Sequence, residues 1–327
     1  VGAKSFRAHR VKGAQTALAA LICVTLSTGA ARATYSIVGA DTGTRETGGA
    51  GTSCLSGSDV FVIYGAVPGV GTLHAQAQYS PSGLREGVRL LGEGVAPADI
   101  IAALVAPAAD PQASVRQYAV VDVTGRVAAF TGEDDGVYAG DRQGHSGAFV
   151  YSVQGNLLTG RAVVDQAADA FEATGCDLPE RLMRAIEAGA ANGEGDARCT
   201  DSRGIPSDSA FIEVERPDEP RGSYLALRVP SSGDEHPLPL LRAAFEDWRA
   251  AHPCPLAPDG AAGAGAIGPD AGPDPAASPN QRESCGCHLP RGRTSLGPFF
   301  ALLASGLWLL RRAKSPARVR GADPRLS

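Results

Sequence analysis

The order of the predicted elements points to one α+β domain, sheets layered with helices, over residues 34–252 of a 327-residue chain. β-rich runs come in blocks and amphipathic helical stretches in pairs, which favours segregated layers over the strand-helix alternation of a doubly wound fold. Charge is segregated as well. Residues 1–33 hold five Lys/Arg and no acid, residues 285–327 hold eight and one, and residues 34–284 hold 17 Arg, no Lys and 34 Asp/Glu. The middle carries −17 inside a whole-chain −5. A body this acidic, without a basic stripe, repels nucleic acid, so no nucleic-acid partner is expected.

Residues 34–40, 47–52, 60–66 and 71–78 are β-rich and separated by Gly, Asp, Ser and Pro-Gly punctuation, which predicts four strands. Ser80-Pro81 supplies an N-cap and a Pro at the first helical position, with Leu84, Val88 and Leu91 as the apolar stripe. A second helix is predicted over 97–105, with Ile100, Ile101 and Leu104 inward. Residues 116–123 and 126–131 read as a strand pair around Thr124-Gly125, and 148–154 as another strand. Helices over 162–174 and 178–191, strands over 211–215 and 224–229, and a helix over 238–251 complete the body. Glu133-Asp134-Asp135 lacks calcium-loop alternation and reads as a solvated turn.

The two ends read as addresses. Lys4, Arg7, Arg10 and Lys12 precede an uncharged stretch with Leu18, Leu21, Ile22, Val24 and Leu26, then Ala31-Arg32-Ala33, the order of a signal peptide over residues 1–33. Cleavage after Ala33 makes Thr34 the first residue; cleavage after Ala31 is chemically open too. Residues 253–284 hold seven Pro and five Gly, the composition of a flexible stalk. Residues 296–310 form an apolar transmembrane segment followed by Arg311, Arg312, Lys314, Arg318 and Arg320, and its length of about 22 Å requires snorkelling arginines or a thin bilayer. Cys285-Gly286-Cys287, the short apolar run and the Arg cluster together resemble the MYXO-CTERM sorting tail of exported myxobacterial proteins. That resemblance implies processing near Cys285 and Cys287 by a sorting protease and anchoring at the cell surface. Cys285, Cys287 and His288 lack zinc-site spacing, so no metal is expected. Export permits disulfides, and Cys176 with Cys199, bracketing one helix and its exit loop, is the more natural pair; Cys54 and Cys254 pair or stay free.

Familiar chemistry is missing. Gly144-His145-Ser146-Gly147-Ala148 lacks the last glycine of a nucleophile elbow, Gly69-Val70-Gly71 lacks the third glycine of a dinucleotide loop, and no P-loop lysine exists, so no cofactor is expected. Position offers an alternative. A threonine at a free amino terminus carries nucleophile and base together, because its α-amine, with a pKa of about 7.7–8.0, takes the hydroxyl proton.

Thr34-Tyr35-Ser36-Ile37-Val38, Val120-Val121-Asp122 with Gly125-Arg126 and Phe130-Thr131-Gly132, Gly144-His145, Tyr151-Ser152-Val153-Gln154-Gly155-Asn156-Leu157-Leu158, and Gly195-Asp196 with Arg198 together resemble the bacterial family called domain of unknown function 1028. The stretches run in order through nearly the whole body. Residues 52–56 and 71–76 follow the family only loosely, although the resemblance sets their strands along the site. Within the N-terminal-nucleophile hydrolase superfamily, the resemblance implies an αββα four-layer sandwich. It implies attack by Thr34 Oγ1 on an amide or related acyl carbon, with Asn156 as the first candidate to meet the oxyanion. His145 orders the amine or substrate, or is structural. Asp122 does the same, or only starts its hairpin turn. Asp196 and Arg198 anchor a loop beside Cys199 or take part in the site. The expected activity is an exported, surface-anchored hydrolase, matured by signal peptidase and acting on a small-molecule, peptide or cell-wall-derived substrate. A non-catalytic surface binding or structural module on the same fold is the rival reading.

Overall fold

The computed structural model describes residue 2 and residues 34–255, apart from 56, 232 and 234. The stretches expected to be a leader, a sorting tail with a transmembrane segment, and nearly all of the expected stalk lie outside the described residues. Among those described, no helix is long and apolar enough to cross a membrane.

The body is mixed α+β, with two antiparallel sheets and six helices. Six strands form one sheet: β1 (Thr34–Asp41), β2 (Thr47–Ser53), β7 (Gly140–Ser146), β8 (Phe149–Asn156), β9 (Ser209–Glu215) and β10 (Leu225–Val229). They lie in the order β10-β9-β2-β1-β8-β7, so the first strand is central. The other sheet is β3-β4-β5-β6, built from Tyr64–Val67, Gly71–Ala77, Arg116–Asp122 and Val127–Thr131.

Strand alternation sorts the side chains. On one face of the larger sheet Tyr35, Ile37, Tyr151, Val153, Ile212 and Val214 meet helices α3 (Ala162–Ala173), α4 (Leu178–Ala188) and α6 (Pro237–Ala251). Leu73, Ala75, Tyr118 and Val120 of the smaller sheet meet α1 (Pro81–Gly92) and α2 (Pro97–Leu104). Burying each large side chain contributes about 1.5–3 kcal/mol. The remaining faces of the two sheets meet each other, β1 against β4 and β8 against β5.

Two local readings are corrected, and two elements, β7 and a short helix, come in addition to those expected. Residues 60–63 form a 3₁₀ turn rather than the start of a strand, because Asp59 Oδ1 accepts the Phe61 N–H at 2.9 Å. The i, i+3 eclipse of that turn buries Val60 and Ile63 together against Phe211. β7 has no apolar alternation and forms because it pairs with β8 around Gly147, whose φ is 62°. The short helix α5 (Ala197–Arg203) starts where the Asp196 side chain accepts the Arg198 N–H. Glu133 and Asp134 are exposed, but Asp135 is buried and accepts the Gly132 N–H, and burial pushes its carboxyl up to about 7.

Candidate functional site

The layer between the sheets changes character along its length. At one end Val38, Ala40, Ala119, Val121 and Val150 pack as an apolar cluster. At the other, the same strands present Thr34, Ser36, Gln117, Gln154 and Asn156, joined by His74 and Gln76 of β4, and all of them are buried. Buried polar groups persist only when hydrogen-bonded, so their connections define the site.

Thr34 begins β1 and stands between the ends of β8 and β2, opposite Asn156 on one side and Ser53 on the other. Its hydroxyl lies 3.0 Å from Ser53 Oγ, and its carbonyl accepts from Gln76 Nε2 at 3.4 Å. Gln117 is the hub. Its Nε2 donates to Gly155 O (2.9 Å), Thr131 Oγ1 (2.9 Å) and Gly140 O (3.3 Å), while its Oε1 accepts from Gln76 Nε2 (2.8 Å) and Asn156 Nδ2 (3.1 Å). Two of those acceptors are backbone carbonyls that can only accept, which sets the orientation of the Gln117 amide.

Directionality then propagates. Gln76 turns its N–H toward Gln117 and its oxygen toward Ser36, whose hydroxyl donates to it at 2.6 Å. With its proton committed, Ser36 Oγ accepts from Gln154 Nε2 at 2.8 Å and from His74 Nδ1 at 2.9 Å. His74 is therefore the Nδ1–H tautomer. Its Nε2 has no hydrogen-bond partner among the described residues, and burial pushes its pKa down to about 3, so the ring stays neutral. Room for the ring comes from Gly49, where a Cβ would stand 2.5 Å from His74 Nε2.

The residues singled out from sequence divide into two groups. Thr34 and Asn156 lie side by side. Asp196 belongs to the same end of the sheet, since its carboxylate accepts the Cys54 N–H next to Ser53 at 2.7 Å and pairs with Arg198 at 3.0 Å. The two anchor the start of α5, which holds Cys199. His145 and Asp122 sit at the opposite end of the strands. His145 pairs with Val150, and Val150 with Ala40, six strand residues or about 20 Å from Thr34. There His145 Nε2 is 2.8 Å from Gly125 O, and Asp122 accepts from the Thr124 and Arg126 N–H groups of the same hairpin. At that distance neither orders the α-amine; they hold a turn.

The cysteine expectation is also corrected. The disulfides are Cys54–Cys199 and Cys176–Cys254. Asp196 draws α5 against the end of β2, and the loop before α4 meets the end of α6, where Arg249 pairs with Asp177 at 2.8 Å. Chain proximity of Cys176 and Cys199 counts for nothing once those packings form. Two clusters of metal-ligand type occur among the described residues, Cys54, Cys199 and Asp208, and Cys176, Asp177 and Cys254. Both spend their cysteines on disulfides, so neither offers a thiolate.

Gln117, Ser36 and Gln154 escaped sequence reading as site residues, while Ser53 and Gln76 lie in the two strands expected along the site without being singled out. A signal exists for part of the set. Thr72, His74 and Gln76 alternate with Leu73 and Ala75 in a strand buried on both faces, and a polar face on such a strand marks an internal network.

Fold and site together define a mixed α+β protein with two antiparallel sheets and a buried polar seam that ends at the first residue of its first strand. A family model described as a family of unknown function, DUF1028, matches residues 34–240, and the chain belongs to that family. The fold is similar to the crystal structure of a Silicibacter pomeroyi protein described with the same family, at 24% identity and a TM-score of 0.55, covering 66% of this chain and 89% of that one. No curated protein matches the chain.

Proposed function

We propose that this is an exported hydrolase with an N-terminal threonine nucleophile, built as the αββα sandwich of the N-terminal-nucleophile superfamily and held at the cell surface by its C-terminal tail. One observation carries the reading. The Thr34 hydroxyl, 3.0 Å from Ser53 Oγ, stands at the polar end of the inter-sheet layer, where Gln76, Gln117 and Asn156 converge. In this reading signal peptidase cuts after Ala33 and leaves Thr34 with a free α-amine. The amine takes the hydroxyl proton, directly or through water, as Oγ1 attacks an amide or related acyl carbon. The leaving group departs protonated, and water then hydrolyses the acyl-enzyme. The substrate class is a small amide, a peptide or a cell-wall-derived compound, and the acidic body disfavours polyanions. A sorting protease and the membrane are the proposed partners of the tail.

Sequencing of the mature protein is expected to read Thr-Tyr-Ser-Ile. A hydroxyl-reactive acyl probe is expected to label wild type and not Thr34→Ala, with Thr34→Ser keeping measurable labelling. A mature chain that starts elsewhere, or equal labelling of wild type and Thr34→Ala, sinks the catalytic reading and leaves a binding module on the same fold.

A further inference from the structure

Asn156 enters the sequence reading as a donor to the oxyanion, yet its carbonyl oxygen is the more informative atom. Oδ1 is buried and has no hydrogen-bond partner among the described residues, in a network where nearly every other amide atom is satisfied. A buried acceptor left unsatisfied costs about 1–3 kcal/mol. Turning the amide over does not help. Gln117 Oε1 faces Asn156, and the Gln117 amide is itself oriented by Gly155 O and Gly140 O, so Asn156 must turn an N–H toward Gln117 and its oxygen away.

Thr34 is the residue that stands opposite Asn156 in the sheet. Directly opposed residues of an antiparallel pair have Cβ atoms about 4.5–5.5 Å apart, and Thr34 and Asn156 are such a pair. Both side chains face the inter-sheet layer, as do Ser36 and Gln154 two residues along. Cleavage before Thr34 would turn a peptide nitrogen with one N–H into an amine with two or an ammonium with three. New donors at so buried a position need acceptors.

We infer that Asn156 Oδ1 is the anchor of the Thr34 α-amine, an acceptor held ready by Gln117 and used only once the chain is cut. The inference rests on the proposed function, because it requires a mature chain that begins at Thr34. Asn156 is here a positioning residue for the base. The contact aims the amine's lone pair, when neutral, toward the Thr34 hydroxyl, and it favours the protonated form. The second N–H of Asn156 Nδ2 stays available to a developing oxyanion.

The test is titration of the unmodified α-amine, followed through the Thr34 ¹³Cα shift by NMR of the ¹³C-labelled mature protein, with acyl-probe labelling run in parallel. In Asn156→Ala the fraction of neutral amine, read at a pH where most of it is protonated, is expected to rise about ten- to a hundredfold, the worth of one hydrogen bond to a charged group. A purely structural asparagine, or one acting only on the oxyanion, leaves that titration where it was, and an unchanged titration overturns the anchor while leaving the hydrolase reading intact. Should the alanine variant not fold, Asn156→Asp replaces it. A carboxylate in contact with the amine raises its pKa by more than about one unit, and a smaller rise overturns the anchor. A shifted amine in a protein that no acyl probe labels sustains the anchor and overturns the hydrolase. A mature chain that does not start at Thr34 overturns both.

Discussion

Among the buried titratable side chains, His74 and Glu215 tie stability to pH in opposite directions, with Asp135 acting in the same sense as Glu215. His74 is neutral in the fold with its pKa pushed down to about 3, against about 6.5 in an unfolded chain. Its contribution is fully present above about 6.5 and is lost as pH falls toward 3. Glu215, on β9, is pushed up to about 8 by burial and by the adjoining Glu213 carboxylate, against 4.5 for a free side chain. The fold therefore holds a proton that the unfolded chain releases, and stability falls as pH rises from about 4.5 to about 8. Glu215→Gln is expected to flatten that decline, read as the denaturant midpoint measured between pH 5 and 8. A decline of unchanged slope in the variant assigns it to other groups. The glutamate's chemistry was visible in the sequence as one acid among many. Its burial was not, because that depends on β9 lying beside β2 rather than at an edge.

β2 reads Thr-Gly-Gly-Ala-Gly-Thr-Ser, a poor strand by composition, and its glycines are explained by what passes over them. A Cβ at Gly48 would stand 2.7 Å from Glu213 O, and one at Gly51 would stand 2.7 Å from a Phe211 ring carbon. At Gly49 it would meet His74 Nε2 at 2.5 Å, so Gly49→Ala is expected to destabilise by about 1–3 kcal/mol through overpacking, checked by chemical unfolding. Helix α1 shows the opposite case, a local device legible from sequence. Ser80 Oγ accepts the Gly83 N–H at 3.1 Å, and Ser80→Ala is expected to cost about 1 kcal/mol with the fold intact by circular dichroism. Elements with such local marks were readable: the Pro-started helices, the alternating strands and the Asp122 turn. β7 and α5 were not, since pairing with β8 and capping by Asp196 supply what their compositions lack.

The whole body is closed by its disulfides. Cys54–Cys199 spans 145 residues and Cys176–Cys254 spans 78, so each joins parts of the chain that only the fold brings together. Peptide mapping without reduction is expected to recover these two pairs, and reduction to cost about 2–5 kcal/mol in chemical unfolding. A Cys176–Cys199 peptide would refute the arrangement. Residue order by itself determined the class of the body, the acidic middle between basic ends, most element boundaries, and the family, because periodicity, caps and contiguous motifs are local properties of the chain. Tertiary structure alone decided which cysteines meet, that His145 lies about 20 Å from Thr34 with the Asp122 turn beside it, and that Ser53, Gln76 and Gln117 surround Thr34. Those groups come from different strands, and their distances are set by sheet order and by the stacking of one sheet on the other, which no local pattern encodes.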